Sequence, residues 1–278
     1  MKKIVISPDS YKGTLSARQA AEIIERACKD ALESVETVSI PIADGGEGTV
    51  DALGAERVPC VVTDAFSTPI SAFYGRLGDA AVIELAACAG LPQATHPNPE
   101  IASTFGVGEL IRFALDAGFR RFIIALGGSS TNDMGCGLAS ALGVHFFDED
   151  GARFVPTGKT LNRIAKIDCS GMDPRIRESR FTTMCDVTNP LFGPKGAAYV
   201  FAPQKGADPE MVARLDQGLV HACEVVKRDL GVDLSTLPGA GAAGGCGGGV
   251  VAFLSSELKS ANARSKNTVI LSLTGFWR

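Results

Sequence analysis

The sequence predicts an α/β protein built on parallel sheet and divided into two lobes. Three observations carry that reading: a strand, loop, helix and strand in succession at the N-terminus, short apolar runs alternating with helical stripes further on, and polar glycine-rich loops where several of those runs end.

The first apolar run, Lys3 to Ser7, stops at Pro8 and reads as a buried strand. A loop, PDSYKGTLS, follows, and Ser16 with Gln19 fits a capping box at a helix start. Ala17, Ala20, Ala21, Ile24, Ala27, Cys28, Ala31 and Leu32 then keep a helical stripe. Val35 to Ile40 is the second strand, so the unit is βαβ and its sheet parallel. Further strands are predicted at Val58–Thr63, Ala81–Leu85, Phe119–Leu126, Val144–Phe147 and Phe181–Val187. Helices are predicted near Thr104–Ala117, over CGLASALG, over Pro209–Leu230 and from VVAFL after the glycine run 239–249. The divide between a small first lobe and a larger second one falls near Asp51–Pro59. That gives residues 1–55, residues 56–259 and an atypical tail, 260–278.

Composition narrows the function. A chain of 278 residues with 45% hydrophobic and 21% charged residues is globular. Its net charge of −4 and lack of a basic stripe argue against a nucleic-acid surface or an anionic membrane patch. Eight scattered cysteines, without a CxxC pair, argue against a zinc site and suit a reducing compartment. No apolar run approaches the roughly 18 residues of a membrane span, and the N-terminus lacks a signal-peptide core, so a cytoplasmic protein is expected.

Four segments are candidates for chemistry. SPDSYKGTLS (7–16) leaves a strand and enters a helix N-terminus, where Lys12 and Ser10 suit a phosphate or carboxylate. In ADGGEGT, Asp44 and Glu47 stand among glycines that allow close backbone approach. They can hold Mg2+, fix a hydroxyl or accept its proton; a turn with solvated acids is the competing reading. In ALGGSSTNDMGCG, Ser129, Ser130, Thr131 and Asn132 suit oxyanion cradling, with Asp133 as a metal or hydroxyl partner. In TMCDVTNPLFGPKGA, Asp186 follows an apolar strand and Asn189 precedes a proline. The FAPQKGA segment and the glycine run add backbone-rich loops; His96, His145 and His221 are isolated. GxxxxGK[ST] is absent, so this is not a P-loop protein.

Five stretches occur in a telling order: KIVISPDSYKGTLSA, PIADGGEGT, ALGGSSTNDMGCG, CDVTNPLFGPKGAAYVFAPQKGA and GAAGGCGGG. In that order they resemble the type-1 glycerate kinase family, from Lys3 to about Lys259. The resemblance implies two α/β domains, one flavodoxin-like, with the active site in the cleft between them. It also implies ATP-dependent phosphorylation of glycerate with Mg2+. A homodimer is compatible with it. Ser10, Lys12, Ser129, Ser130, Thr131, Asn132 and Asn189 would bind substrate or phosphate, Asp133 would face metal, and Asp44, Asp186 and Glu47 would be the catalytic acids. SANARSKNTVILSLTGFWR departs from the family pattern, so a frameshift or early stop, leaving the flavodoxin-like sheet incomplete, is expected. An inactive remnant of such a kinase and a Mg2+-dependent hydrolase of phospho-acids are the alternatives.

Overall fold

A computed structural model of the chain describes residues 2–8, 11, 14–40 and 45–259. Strand β1 (Lys2–Ile6) pairs in parallel with β2 (Val35–Ser39), and helix α1 (Ala17–Ala31) crosses between them. The predicted capping box is present: Ser16 Oγ accepts from the Gln19 N–H at 3.1 Å, and Gln19 Oε1 accepts from the Ser16 N–H at 2.9 Å. Glu25 on α1 accepts from the hydroxyls of Thr37 and Ser39, which ties the helix to β2. Among the described residues this sheet has two strands, and Val5 on it is 61% exposed. Residues 260–278, with their strand-like VILSL, lie outside the described part.

The main sheet starts after helix α2 (Thr49–Ala52). Strands β3 (Glu56–Thr63), β4 (Pro69–Leu77) and β5 (Ala80–Glu84) form an antiparallel meander. Short helix α3 (Ala86–Ala89) and the longer α4 (Phe105–Asp116) then lead to β6 (Arg121–Ala125), which runs parallel to β5. Helix α5 (Cys136–Ala141) follows. Strands β7 (His145–Phe147), β8 (Arg153–Phe154) and β9 (Lys166–Asp168) make a separate antiparallel sheet of order β8-β7-β9. Strand β10 (Arg180–Met184) returns to the main sheet. Helices α6 (Ala197–Phe201), α7 (Pro209–Leu230) and α8 (Cys246–Leu254) precede the last strand among the described residues, β11 (Glu257–Lys259). The main sheet has the order β11-β10-β6-β5-β4-β3, with β11, β10, β6 and β5 all parallel.

Period-two alternation sorts its residues. Ala81, Ile83, Phe122, Ile124 and Phe181 point to the face covered by Val107, Leu110 and Ile111 of α4. The rings of Phe122 and Phe181, register partners, stack with centroids 4.7 Å apart. Val82 and Ile123 point the other way and meet Val50 and Ala55, so residues 45–55 pack on the main sheet. A second core lies between α7 and the small sheet, with Leu215, Leu219 and Val226 against Phe146 and Ile167.

Boundaries shift by a few residues at several elements, and three differences have a clear physical reason. Strand β10 ends at Met184 rather than Val187, because Cys185 turns its Sγ toward the Val187 carbonyl, 3.2 Å away. Helix α8 begins at Cys246, four residues before VVAFL, because its glycines fit where larger residues do not. The β4 strand, PISAFYGRL, lacked a sequence signal, since Pro69 and Gly75 both weaken one.

Candidate functional site

The parallel strands β5, β6 and β10 all end on one side, where open α/β sheets bind ligands. Three loops converge there. The Gly45–Gly48 turn crosses the strand ends: the Gly127 N–H donates to the Gly45 carbonyl at 2.7 Å, and Gly45 abuts Met184. A Cβ on Gly127 would stand 2.5 Å from Gly46 Cα, so only glycine lets turn and strand meet. That contact sets the Glu47 turn beside the segment carrying Asp186.

Glu84, which sequence reasoning missed, anchors this turn. It ends β5 at 2% exposure, and its carboxylate accepts from the Val50 N–H and from the Gly48 N–H, 3.3 Å away. Burial raises its pKa above the ordinary 4.5, against the lowering effect of the two N–H donors. A raised folded-state pKa contributes stability that is full below the unfolded value and lost as pH climbs through the folded value. The melting temperature of the wild type relative to Glu84→Gln should therefore rise as pH falls from about 7 to about 5. A gap that stays constant over that range would contradict a shifted Glu84.

The second loop, residues 126–135, is buried from Ser129 onward and internally bonded. Ser130 donates through its N–H and its hydroxyl to the Ala89 carbonyl at 2.9 and 3.0 Å. The hydroxyls of Ser129 and Thr131 pair at 2.7 Å. Asn132 is fully buried, and both its side-chain nitrogen and its oxygen lack any partner. A buried amide without partners costs about 1–3 kcal/mol, so this one needs a reason to be kept. Met134 adopts a positive φ of 55°, held by its N–H donating to the Gly244 carbonyl at 3.1 Å.

Asp133 is fully buried, and its oxygens accept from Thr104 N–H (2.7 Å), Thr104 Oγ1 (2.8 Å), Gly135 N–H (3.1 Å) and Gly137 N–H (3.2 Å). These bonds tie the second loop to the starts of α4 and α5, and burial pushes the Asp133 pKa up. Among the described residues, no three His, Cys, Asp or Glu side chains cluster as a metal cage. Glu47 and Asp186 are exposed carboxylates, the hard oxygen donors that Mg2+ takes one or two at a time.

The third loop runs on from β10. Asn189 spends one amide N–H on the Lys195 carbonyl at 2.8 Å and so closes its own turn. Lys205, another residue the sequence did not single out, is 2% exposed and donates to the Thr131 carbonyl at 2.7 Å. Burial lowers its pKa to about 8, although Asp133 pulls the other way. Behind it the glycine run packs on the second loop: a Cβ on Gly244 would stand 2.0 Å from the Thr131 carbonyl, and one on Gly249 2.1 Å from that of Met134. Ser10, Lys12 and Asp44 lie outside the described residues. Glu47 thus lies in the turn that meets the end of β6, Ser129, Ser130, Thr131 and Asn132 in the loop that follows β6, and Asp186 and Asn189 in the loop that follows β10.

Comparison with known proteins agrees with the motif order. The model of the glycerate kinase family matches residues 4–276. That span passes Lys259 and takes in most of the tail expected to be foreign, so the family match does not uphold that expectation. A glycerate kinase of Bacillus subtilis is 46% identical over 265 residues, covering 92% of this chain and 69% of the relative. A glycerate 2-kinase of Escherichia coli is 46% identical over 267 residues, covering 93% and 70%. A solved structure, of a candidate glycerate kinase 2 from Salmonella typhimurium LT2, superposes with a TM-score of 0.86 at 43% identity, covering 98% of this chain and 74% of that one. No helix among the described residues is long and apolar enough to cross a membrane. By motif order, family match and fold, the chain belongs to the glycerate kinase family.

Proposed function

We propose that this chain transfers the γ-phosphoryl group of ATP to a hydroxyl of glycerate, at the carboxyl ends of β5, β6 and β10. The observation that carries the placement is Asn132: a fully buried amide with no protein partner, on a loop of hydroxyls and backbone N–H groups, is a binding group awaiting a polar ligand.

Phosphoryl transfer needs in-line positioning and neutralised charge more than covalent help from the protein. In this reading Ser129, Ser130, Thr131 and Asn132 hold phosphate or carboxylate oxygens from below, with Asn189 beside them. Ser10 and Lys12 take the remaining phosphate or carboxylate oxygens in the same reading. Asp44 or Asp186 accepts the hydroxyl proton as the oxygen bonds phosphorus and ADP leaves; Glu47 supports it. Mg2+ would suit a site of this kind, where Glu47 or Asp186 would help to hold it, and it would supply charge neutralisation on the phosphate oxygens. A homodimer and a cytoplasmic setting fit the reading and leave the chemistry unchanged.

The test is ADP release by purified protein given ATP, Mg2+ and glycerate. Release that depends on glycerate is expected. Folded protein that stays silent, or that instead frees phosphate from phosphoglycerate without ATP, would sink the proposal. Asn132→Leu should lower kcat/KM by about 100-fold. Its stability should hold or rise by about 1 kcal/mol, since the orphaned amide is gone.

A further inference from the structure

Lysine is rarely fully buried unless paired with an acid. Lys205 breaks that pattern. The residue is 2% exposed, and its hydrogen bond runs to a neutral carbonyl, that of Thr131, 74 residues earlier in the chain. The buried acid that acts on it, Asp133, spends its oxygens on Thr104, Gly135 and Gly137. The residue therefore holds an expensive charge underneath the hydroxyl loop, with no carboxylate among the described residues hydrogen-bonded to it. An apolar side chain of the same length would remove that desolvation cost, at the loss of one bond to a carbonyl. Stability alone does not explain a lysine here.

The contact is well placed to matter for chemistry. The Thr131 carbonyl belongs to the peptide that links Thr131 to Asn132, so fixing it fixes the plane from which the Asn132 amide projects. Gly244 packs on the same peptide: a Cβ there would stand 2.0 Å from the Thr131 carbonyl oxygen and 2.6 Å from Asn132 Cα. Lys205 and Gly244 together restrict how that peptide can turn.

We propose that Lys205 is a positioning residue for phosphoryl transfer, pinning the Thr131–Asn132 peptide so that the Thr131 hydroxyl and the Asn132 amide meet the substrates in a single geometry. This rests on the reading that the 129–133 loop belongs to the kinase site. Lys205 itself does not touch substrate.

The experiment compares Lys205→Met, Lys205→Arg, Asn132→Leu and the Met/Leu double variant in the ADP assay. Lys205→Met should fold, melt within about 4 °C of the wild type and lose about 100-fold in kcat/KM. Lys205→Arg, which keeps charge and donors, should recover about tenfold of that loss. The double variant should be no worse than Asn132→Leu alone, within about threefold, because both act through one peptide. Wild-type kinetics in Lys205→Met, failure of that variant to fold, or losses that multiply in the double variant would each overturn the proposal. An inactive wild type, or an active Asn132→Leu, overturns the underlying reading instead. Amide exchange then still reads the positioning, with no turnover needed: Lys205→Met should speed exchange about tenfold at residues 131–134 and leave α4 unchanged. Unchanged exchange at 131–134 refutes it.

Discussion

Asp133→Ala is expected to lower the unfolding free energy by about 3–5 kcal/mol, measured by urea denaturation in excess chelator. The substitution strips the acceptor from three backbone N–H groups, those of Thr104, Gly135 and Gly137, and from the Thr104 hydroxyl. All of these are buried, and no water can replace the lost carboxylate without a new cavity. The loss stays below the sum of four bonds because the native carboxylate carries a burial penalty of its own, seen in its raised pKa. Asp133→Asn should cost less, about 1–2 kcal/mol, since an amide oxygen can replace Oδ2, which takes three of the four donors. A metal ligand behaves otherwise: with metal chelated, its removal leaves stability level or improves it. An alanine variant within about 1 kcal/mol of the wild type in chelator would favour the metal reading.

Gly244→Ala should be more damaging still, with loss of about 4 kcal/mol or more, or of a cooperative melt altogether. Two separate penalties add there. Its φ of +65° is left-handed, which costs an L-residue roughly 1–2 kcal/mol. The new Cβ would also stand 2.0 Å from the Thr131 carbonyl and 2.6 Å from Asn132 Cα, both backbone atoms that cannot swing away. Gly231→Ala separates the two. Gly231 ends α7 at a φ of 72°, with nothing within 4 Å of its would-be Cβ. It should cost only about 1 kcal/mol. If both variants lose the same amount, the close approach of Gly244 to the loop carries no energy and the nesting described above is wrong.

Much of the fold was legible because local rules and tertiary packing agree. Helix α7 was placed to the residue: Pro209 sits at its first turn, Asp208 caps Met211 at 2.8 Å, and Gly231 closes it. The Ser16–Gln19 capping box and the parallel β1–β2 pair follow from patterns confined to a few residues. What stayed hidden depends on distant neighbours. Glu84 ends an apolar run and looks like an ordinary strand terminus until the Gly45–Gly48 turn folds over it. Lys205 looks like a solvated lysine in a turn until Thr131 is brought to it. Helix α8 opens with Cys-Gly-Gly-Gly, poor helix formers that are helical because Gly249 meets the Met134 carbonyl and Gly247 that of Gly239. The hydroxyl loop was recognisable from its residue types. Its division of labour was not, because burial decides that Asn132 is left open and Asp133 is fully bonded.

The nesting of Gly244 against Thr131, with Lys205 on the same carbonyl, also sets an order in time. During synthesis, β5, β6 and the hydroxyl loop all leave the ribosome before residue 205, yet the peptide between Thr131 and Asn132 has nothing to close on until residues 205 and 244 follow. Contacts of such long separation form late, after the entropy of the intervening chain has been lost. A chain arrested between β6 and α7 can hold much of its sheet while its hydroxyl loop is still unformed. Binding competence is thus one of the last properties this chain acquires as it folds.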